Sequence, residues 1–325
     1  MEKEKVIIIG AGPCGLSAAA ECQKQGLNPL IIEKGSVVHS IYQYPTYLSF
    51  HSSADRLEIA DIPFMTPNEK PTRHEGLNYY RTVASRLHLR IHMYEEVVQL
   101  EKTAAGTFMM TTQHRTKGKQ QYETENVIIA TGYFDHPKTL HIPGEDLPKV
   151  SHFYKEAHPY YQMKVAIIGG KNSAVDAAIE LERAGAEVTV IYRQEALSPS
   201  VKAWTKPVFE SLVAKDRINM LWSAEVNEIK EESIIYSQNG KRVEMENDFV
   251  FALTGYRPDR TFMTQLGIQI DQETGAPFFH EHSMESNVEG AYIAGVIAAG
   301  ENANVIFIEN GREHGKPIAQ HIASK

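Results

Sequence analysis

The chain has 325 residues and a formal net charge of −8. That is length enough for two domains, with no basic surplus of the kind that binds a nucleic-acid backbone. Its two cysteines, Cys14 and Cys22, exclude a disulfide framework, and the longest nearly apolar run, 291–300, is too short to span a membrane. The N-terminus passes from charged residues directly into a strand, without the features of a signal peptide. We therefore expect a cytoplasmic protein that binds neither nucleic acid nor membrane.

One motif occurs twice, beginning at Lys5 and again at Lys164. Each copy has a short apolar strand, a glycine-rich turn and an alanine-rich helix, and a second strand follows at 28–32 and at 187–191. This is the βαβ unit of dinucleotide-binding domains. Two copies predict an α/β protein with two Rossmann-like domains, each built on a doubly wound parallel sheet.

A second repeated feature is a Thr-Gly-Tyr sequence after a buried strand, at 131–133 and 254–256. Gly132 and Gly255 are expected to let the backbone approach a ligand or a neighbouring strand. The segment 291–325 then predicts a strand, a glycine-rich turn and a terminal helix that return to the first domain. We predict that residues 1–150 and 258–325 form one domain and that residues 151–257 form a second domain inserted in it.

The first glycine loop has the pattern Gly10-x-Gly12-x-x-Gly15, directly between a strand and a helix. In such a loop the three glycines make the tight turn, admit a pyrophosphate and let the helix pack on the strand. The helix N-terminus supplies free N–H groups for the phosphates. Glu33 ends the second strand, where an acidic residue hydrogen-bonds a ribose.

The N-terminal position of this loop, the segment 130–132 and the closing segment 292–295 resemble the flavin disulfide reductases along the whole chain. The resemblance implies FAD at the first loop. One position departs, because Val296 stands where that superfamily usually has an aspartate that contacts FAD. Besides the glycines and Glu33, we assign these residues to the flavin site: Pro13, Cys14, Lys34, Val97, Ala130, Thr131, Gly132, Gly295, Val296 and Ile306.

The second glycine loop, 169–174, carries a lysine where the second glycine is expected and an alanine in place of the third. At the end of the second strand, where the first copy has Glu33, the second copy has Tyr192-Arg193. An acidic residue there favours NAD, whereas an arginine can pair with the 2′-phosphate of NADP. Lys202 is a second candidate cation, and a solvated surface arginine is the alternative. We assign to NADPH the residues Gly169, Gly170, Lys171, Asn172, Ser173, Ala174, Arg193 and Gly255.

The segment before the second loop resembles that of small thioredoxin reductases but lacks their cysteine pair. The flanking residues 142–145, 150–151 and 164–166 match the pattern, and 152–156 contains no cysteine. A substrate must then meet the flavin directly or use another thiol. Cys14 is the candidate, because a helix N-terminus lowers a thiol pKa. Packing beneath the flavin is the alternative for Cys14, and Cys22 is expected in the core.

Four segments, 13–15, 169–174, 292–300 and 306–311, resemble the YpdA-type bacillithiol disulfide reductases of low-GC Gram-positive bacteria. This resemblance also runs end to end. It implies FAD, NADPH, reduction of bacillithiol disulfide in a bacilliredoxin pathway, and a catalytic role for Cys14. We expect a homodimer or a higher homo-oligomer. We expect residues 42–46 and 50–53 to line one side of the substrate pocket, and Asn302, Asn304 and Glu309 to line the other. We also expect the terminal helix to begin near Ile306 and to point its N-terminus at the flavin.

The first alternative is an NADPH–ferredoxin or flavodoxin reductase that also lacks the cysteine pair. Its acidic protein partner would require a ring of lysines and arginines, which the net charge of −8 disfavours. A flavin monooxygenase is disfavoured by the spacing of Gly144 and His152. A redox-sensing NADPH-binding protein without turnover is a further alternative, and it would bind FAD and reduce no acceptor.

Overall fold

The computed structural model describes residues 2–302 and 305–325, so the predicted pocket residue Asn304 lies outside the described residues. The strands are β1 Glu2–Ile9, β2 Leu30–Glu33, β3 Arg90–Met93, β4 Glu95–Lys102, β5 Phe108–His114, β6 Gly118–Ile129, β7 Val150–Ser151, β8 Lys164–Ile168, β9 Glu187–Tyr192, β10 Ile218–Trp222, β11 Ala224–Ile229, β12 Ser233–Gln238, β13 Lys241–Glu246, β14 Phe249–Ala252 and β15 Ala291–Ile293. The helices are α1 Pro13–Lys24, α2 His39–Gln43, α3 Ala54–Leu57, α4 Arg73–Arg86, α5 Asn172–Arg183, α6 Lys206–Ala214, α7 Thr261–Gln265, α8 Ile308–Gly311 and α9 Gly315–Ser324.

The first of two compact units comprises the chain up to Tyr42, Leu48–His136 and Tyr256–Lys325. Its sheet has the strand order β3-β2-β1-β6-β5-β4, and β15 also pairs with β6. β1 runs parallel to β2 and β6, as the first βαβ repeat predicts. The carboxyl ends of β1, β2 and β6 therefore lie at one edge of the sheet, where ligands bind in doubly wound folds.

The sheet of the first unit is not parallel throughout. β4 pairs antiparallel with β5, and β5 pairs antiparallel with β6. The prediction of a wholly parallel sheet is wrong here because this meander has polar residues facing solvent between its buried ones. Antiparallel strands can expose one face in this way, whereas parallel strands are usually buried on both.

The second unit comprises Gln43–Tyr47 and Pro137–Gly255. Its five-stranded sheet has the order β10-β9-β8-β14-β7 with parallel pairing throughout. A separate antiparallel sheet, β11-β12-β13, packs beside it. The main segment of this unit begins at residue 137 rather than near 150, and Leu140, Ile142 and Leu147 pack against one of its core clusters.

The terminal segment differs from the single helix expected after residue 306. It forms α8, a short 3₁₀ turn over Arg312–His314, and then α9. Within the described residues the longest helix is α4, with 14 residues, and none is both long and apolar enough to cross a bilayer.

Candidate functional site

The first glycine loop is packed closely on one side and open on the other. Gly10 has φ +106°, and a Cβ there would lie 2.5 Å from the carbonyl oxygen of Ala130. A Cβ on Gly15 would overlap the carbonyl oxygen of Gly10. Gly12 is different, because its φ of −71° suits any residue and a Cβ would meet no atom of the described residues within 4 Å. The folding of the chain therefore explains the first and third glycines, and the second leaves room for a ligand.

Glu33 holds the strand end beside this loop. Its two carboxylate oxygens accept hydrogen bonds from the backbone N–H groups of Ala11 and Gly35, each at 2.7 Å. The side chain is 6% exposed, and its burial raises the pKa of Glu33. The acidic residue thus fixes the loop and the turn after β2, and the ribose contact stays a prediction.

The second glycine loop repeats this arrangement with different side chains. Gly169 has φ +146°, and a Cβ there would lie 2.6 Å from the carbonyl oxygen of Leu253. Gly170 lies under the ring of Tyr192, which a side chain at Gly170 would overlap. Ala174 is buried, and a Cβ on Gly169 would lie 3.2 Å from its methyl group. The alanine that replaces the third glycine therefore keeps α5 closely packed on the loop.

Lys171 occupies the open position of the second loop. It precedes α5 with φ −111° and ψ −173°, an extended conformation like that of Gly12, and its side chain is exposed. Ser173, in the first turn of α5, is also exposed. The loop thus presents a cation and a hydroxyl at the N-terminus of a twelve-residue helix.

A second group of cations lies beside this loop. Asn172 donates from Nδ2 to the carbonyl oxygen of Ser200 and accepts at Oδ1 from the N–H of Lys202, both at 3.0 Å. Arg193, directly after β9, is exposed and makes no ion pair or hydrogen bond with other described residues. The structure therefore holds Lys202 against the loop and leaves the guanidinium of Arg193 available for an anion.

Gly132 and Gly255 have φ values of +73° and +99°, and within the described part of the chain a Cβ on either would meet no atom within 4 Å. Among the described residues neither glycine is packed against a neighbouring strand, and the approach of a ligand to them stays a prediction. The left-handed turn explains why glycine is present at both positions.

Cys14 lies in the first turn of α1 and packs against two glycines. Its Sγ lies 3.0 Å from the Cβ position of Gly295 and 2.9 Å from that of Gly311. Burial raises the pKa of the Cys14 thiol to about 12. The expectation that the helix N-terminus lowers this pKa is wrong, because desolvation opposes the charged form and dominates. Cys22 is fully buried in α1, and the prediction that it belongs to the core is confirmed.

His314 is the residue of this cluster that sequence reasoning missed. Its Nδ1 accepts a hydrogen bond from the N–H of Gly295 at 3.1 Å, and burial lowers its pKa. An acceptor Nδ1 must carry no proton, so the neutral ring supports the turn after β15. The contact joins residues 19 apart in the chain, and no local pattern indicates it.

The other residues assigned to the flavin site lie in several elements of the first unit. Ala130 continues β6 by donating to the carbonyl oxygen of Ile9. Lys34 forms an ion pair with Asp135 at 3.0 Å. The remaining positions are as follows: Pro13 is the first residue of α1, Thr131 and Ile306 are partly buried, Val97 is buried in β4, and Val296 is partly buried in a 3₁₀ turn over 295–299.

The expected substrate segments are not one continuous loop. Residues 39–43 form α2, and Arg73 donates to the carbonyl oxygen of Tyr42 at 2.6 Å. Residues 43–47 group with the second unit and residues 50–53 with the first. Asn302 is exposed and Glu309 is partly buried in α8, which begins at Ile308 rather than near residue 306.

The place of the cysteine pair in thioredoxin reductases is filled by other side chains. The ring of His152 lies 3.4 Å from a carboxylate oxygen of Glu145. Tyr154 is buried and donates its hydroxyl to Glu180 at 2.8 Å. These contacts give the segment a fixed structure without redox groups.

Comparison with known proteins decides the family. A family model described as pyridine nucleotide-disulphide oxidoreductase matches residues 7–295. The chain belongs to the pyridine nucleotide-disulphide oxidoreductase family. It is 52% identical over 326 residues to the bacilliredoxin reductase Bdr of Bacillus subtilis (strain 168), covering 100% of this chain and 99% of that protein.

Solved structures agree with this assignment. The bacillithiol disulfide reductase Bdr (YpdA) from Bacillus cereus is 52% identical, with a TM-score of 0.97 and coverage of 99% of both chains. The thioredoxin reductase of T. acidophilum is 21% identical, with a TM-score of 0.76 over 100% of this chain and 99% of that one. This second likeness is one of fold. The prediction of two Rossmann-like domains of the thioredoxin reductase type is confirmed, and the chain is an oxidoreductase.

Proposed function

We propose that this chain is an NADPH-dependent FAD oxidoreductase that reduces bacillithiol disulfide to bacillithiol. The observation that carries the proposal is the end-to-end likeness to the B. cereus bacillithiol disulfide reductase. The two open glycine loops supply what such an enzyme needs, which is one binding place for each dinucleotide.

The first loop fits FAD. Gly12 leaves space in front of the N-terminus of α1, where N–H groups that lack partners within the helix bind a pyrophosphate. We propose that Gly10, Gly12, Pro13, Cys14 and Gly15 hold this phosphate group. Around it, we assign Glu33, Lys34, Val97, Ala130, Thr131, Gly132, Gly295, Val296 and Ile306 to the rest of the cofactor.

The second loop fits NADPH better than NADH. The second copy has no acidic residue like Glu33 at the end of its second strand. Arg193 is exposed there, without an internal partner among the described residues. We propose that Gly169, Gly170, Lys171, Asn172, Ser173, Ala174 and Gly255 bind the nucleotide. Arg193 and Lys202 would then take the 2′-phosphate, since guanidinium groups pair well with phosphates.

The chemistry needs no cysteine pair from the protein. When bound, FAD would supply the redox chemistry by accepting hydride from NADPH and passing two electrons to a disulfide. The overall reaction consumes one NADPH and one proton and releases two thiols from each disulfide. We propose that Cys14 packs in the site as a neutral thiol, since burial raises its pKa to about 12 and a thiol is a weak nucleophile.

We also propose the setting in which the enzyme works. The two free thiols are usual for a reducing compartment, which supports a cytoplasmic location. The name of the B. subtilis relative supports a functional link to bacilliredoxins. The family resemblance supports a homodimer or a higher homo-oligomer, which sedimentation at two protein concentrations tests.

The test follows NADPH consumption without oxygen in the presence of bacillithiol disulfide, glutathione disulfide, ferredoxin or a quinone. We expect the highest kcat/KM with bacillithiol disulfide. Turnover with ferredoxin alone would contradict the proposal and favour the ferredoxin reductase. Bound flavin without turnover on any acceptor would favour the redox-sensing protein.

A further inference from the structure

Trp204 is a large aromatic side chain that the fold does not bury. It lies between β9 and α6 and is 54% exposed. Single exposed apolar residues are common on protein surfaces, so exposure alone indicates nothing. What distinguishes Trp204 is its position in the second unit.

The segment that carries Trp204 is tied to the second glycine loop. Ser198 donates its N–H to the carbonyl oxygen of Gly170 at 3.3 Å. Asn172, the first residue of α5, then holds both Ser200 and Lys202 through its side chain. The N–H of Thr205 closes a turn by donating to the carbonyl oxygen of Lys202 at 3.0 Å. These bonds fix the chain on both sides of Trp204 relative to the loop.

The cations beside Trp204 indicate which kind of ligand would contact its ring. The ammonium nitrogen of Lys202 lies 5.9 Å from the centroid of the Trp204 ring. Lys202 and Arg193 are the two cations that the proposed function assigns to the 2′-phosphate of NADPH. The adenine base and the 2′-phosphate are attached to the same ribose. A nucleotide whose 2′-phosphate contacts Lys202 therefore carries its adenine to the neighbourhood of the indole.

We propose that Trp204 is the platform on which the adenine ring of the nicotinamide nucleotide stacks. The inference rests on the proposed binding of NADPH at the second glycine loop. Indole is well suited to this role because bases stack on aromatic side chains through their faces. NADPH and NADH share the adenine, so Trp204 strengthens binding of both nucleotides. Discrimination between the two belongs to Arg193 and Lys202.

The direct test uses the emission of Trp204. The sequence has two tryptophans, so Trp222→Phe leaves Trp204 as the one indole in the flavin-loaded enzyme. Adenosine 2′,5′-bisphosphate carries the adenine and the 2′-phosphate but cannot reduce the flavin. We expect it to change the Trp204 emission in a saturable way, and we expect nicotinamide mononucleotide, which lacks adenine, to leave it unchanged.

Kinetics give the second readout. Trp204→Ala should raise the KM for NADPH and for NADH by the same factor of about ten, with kcat retained, as the loss of one stacking contact implies. Trp204→Phe should restore most of the affinity. Val208→Ala, which truncates an exposed apolar side chain on α6, is the matched control and should leave both KM values unchanged.

Two results separate the inference from the function on which it rests. If the bisphosphate competes with NADPH while the Trp204 emission and the KM of Trp204→Ala are unchanged, the adenine platform is wrong and the proposed function stands. If the bisphosphate does not compete with NADPH in the wild-type enzyme, the NADPH assignment is wrong, and the platform is wrong with it.

Discussion

At the scale of single residues, the cluster of Cys14, Gly295, Gly311 and His314 changes the role expected for the Cys14 thiol. A cysteine at a helix N-terminus is expected to be a reactive thiolate. Here the thiol packs against Gly295 and Gly311, and desolvation raises its pKa. His314 holds Gly295 in place with a neutral ring. The cluster therefore has the contacts of a packed support, and variants of Cys14 and of His314 test that view.

The first prediction concerns Cys14. Cys14→Ala and Cys14→Ser should retain turnover with bacillithiol disulfide to within about threefold, because a thiol with a raised pKa contributes little thiolate near pH 7.5. Steady-state rates are measured after the visible spectrum has shown that flavin is bound. A loss of about a hundredfold or more with the flavin in place would restore the catalytic role implied by the family resemblance.

The second prediction concerns His314. Its pKa is lowered in the folded chain from the ordinary value of 6.5, with burial as the main cause and Glu313 opposing it. The unfolded chain therefore takes up the proton first, and stability is lost as the pH falls below about 6.5. His314→Asn keeps an acceptor that does not titrate, so its melting temperature should fall less than that of the wild type between pH 7.5 and 5.5.

The control for this prediction is His314→Leu, which leaves the N–H of Gly295 without an acceptor. It should cost about 1–2 kcal/mol at pH 7.5, as the loss of one partly buried hydrogen bond implies. Equal pH dependence in the wild type and in His314→Asn would show that His314 does not govern the effect.

At the scale of elements, the two glycine loops show which positions serve the fold and which serve a ligand. Gly10 and Gly169 approach the backbone after a neighbouring strand in the same way, with positive φ in both. Gly15 and Ala174 stand at the equivalent third position of the two loops, without a side chain in the first loop and with a buried methyl group in the second. Gly12 and Lys171 share an extended conformation and an open front. The second position of each loop is therefore free to vary with the ligand.

The third prediction follows from that difference. Gly12→Ala should fold, with a cost of at most about 1 kcal/mol from the weaker helix cap, because its methyl group meets no atom of residues 2–302 and 305–325 within 4 Å. It should nevertheless bind FAD at least about tenfold more weakly, since the methyl group enters the space assigned to the pyrophosphate. Flavin titration of the apoprotein and its thermal unfolding separate the two effects.

The matched control is Gly15→Ala, whose methyl group would overlap the carbonyl oxygen of Gly10. It should destabilise the apoprotein by about 1–3 kcal/mol through overpacking. Unchanged FAD affinity in Gly12→Ala would contradict the placement of the cofactor at the first loop.

At the scale of the whole molecule, the repeated strand–glycine–helix motif predicts the parallel sheet of the second unit and the parallel strands β1, β2 and β6 of the first. Those elements are set by local apolar runs and glycines, which are visible in the sequence. The antiparallel strands β4, β5 and β11–β13 were missed because their pairing joins polar and apolar positions without such a motif. The bond between His314 and Gly295 and the high pKa of Cys14 depend on contacts from distant parts of the chain, which only the folded structure reveals.

The proposed function requires that electrons from NADPH reduce bacillithiol disulfide. The most direct measurement compares the NADPH consumed with the free thiol released in the same oxygen-free reaction. We expect two thiols for each NADPH oxidised, in wild type and in Cys14→Ala alike. NADPH oxidation without release of thiol would contradict the proposed function.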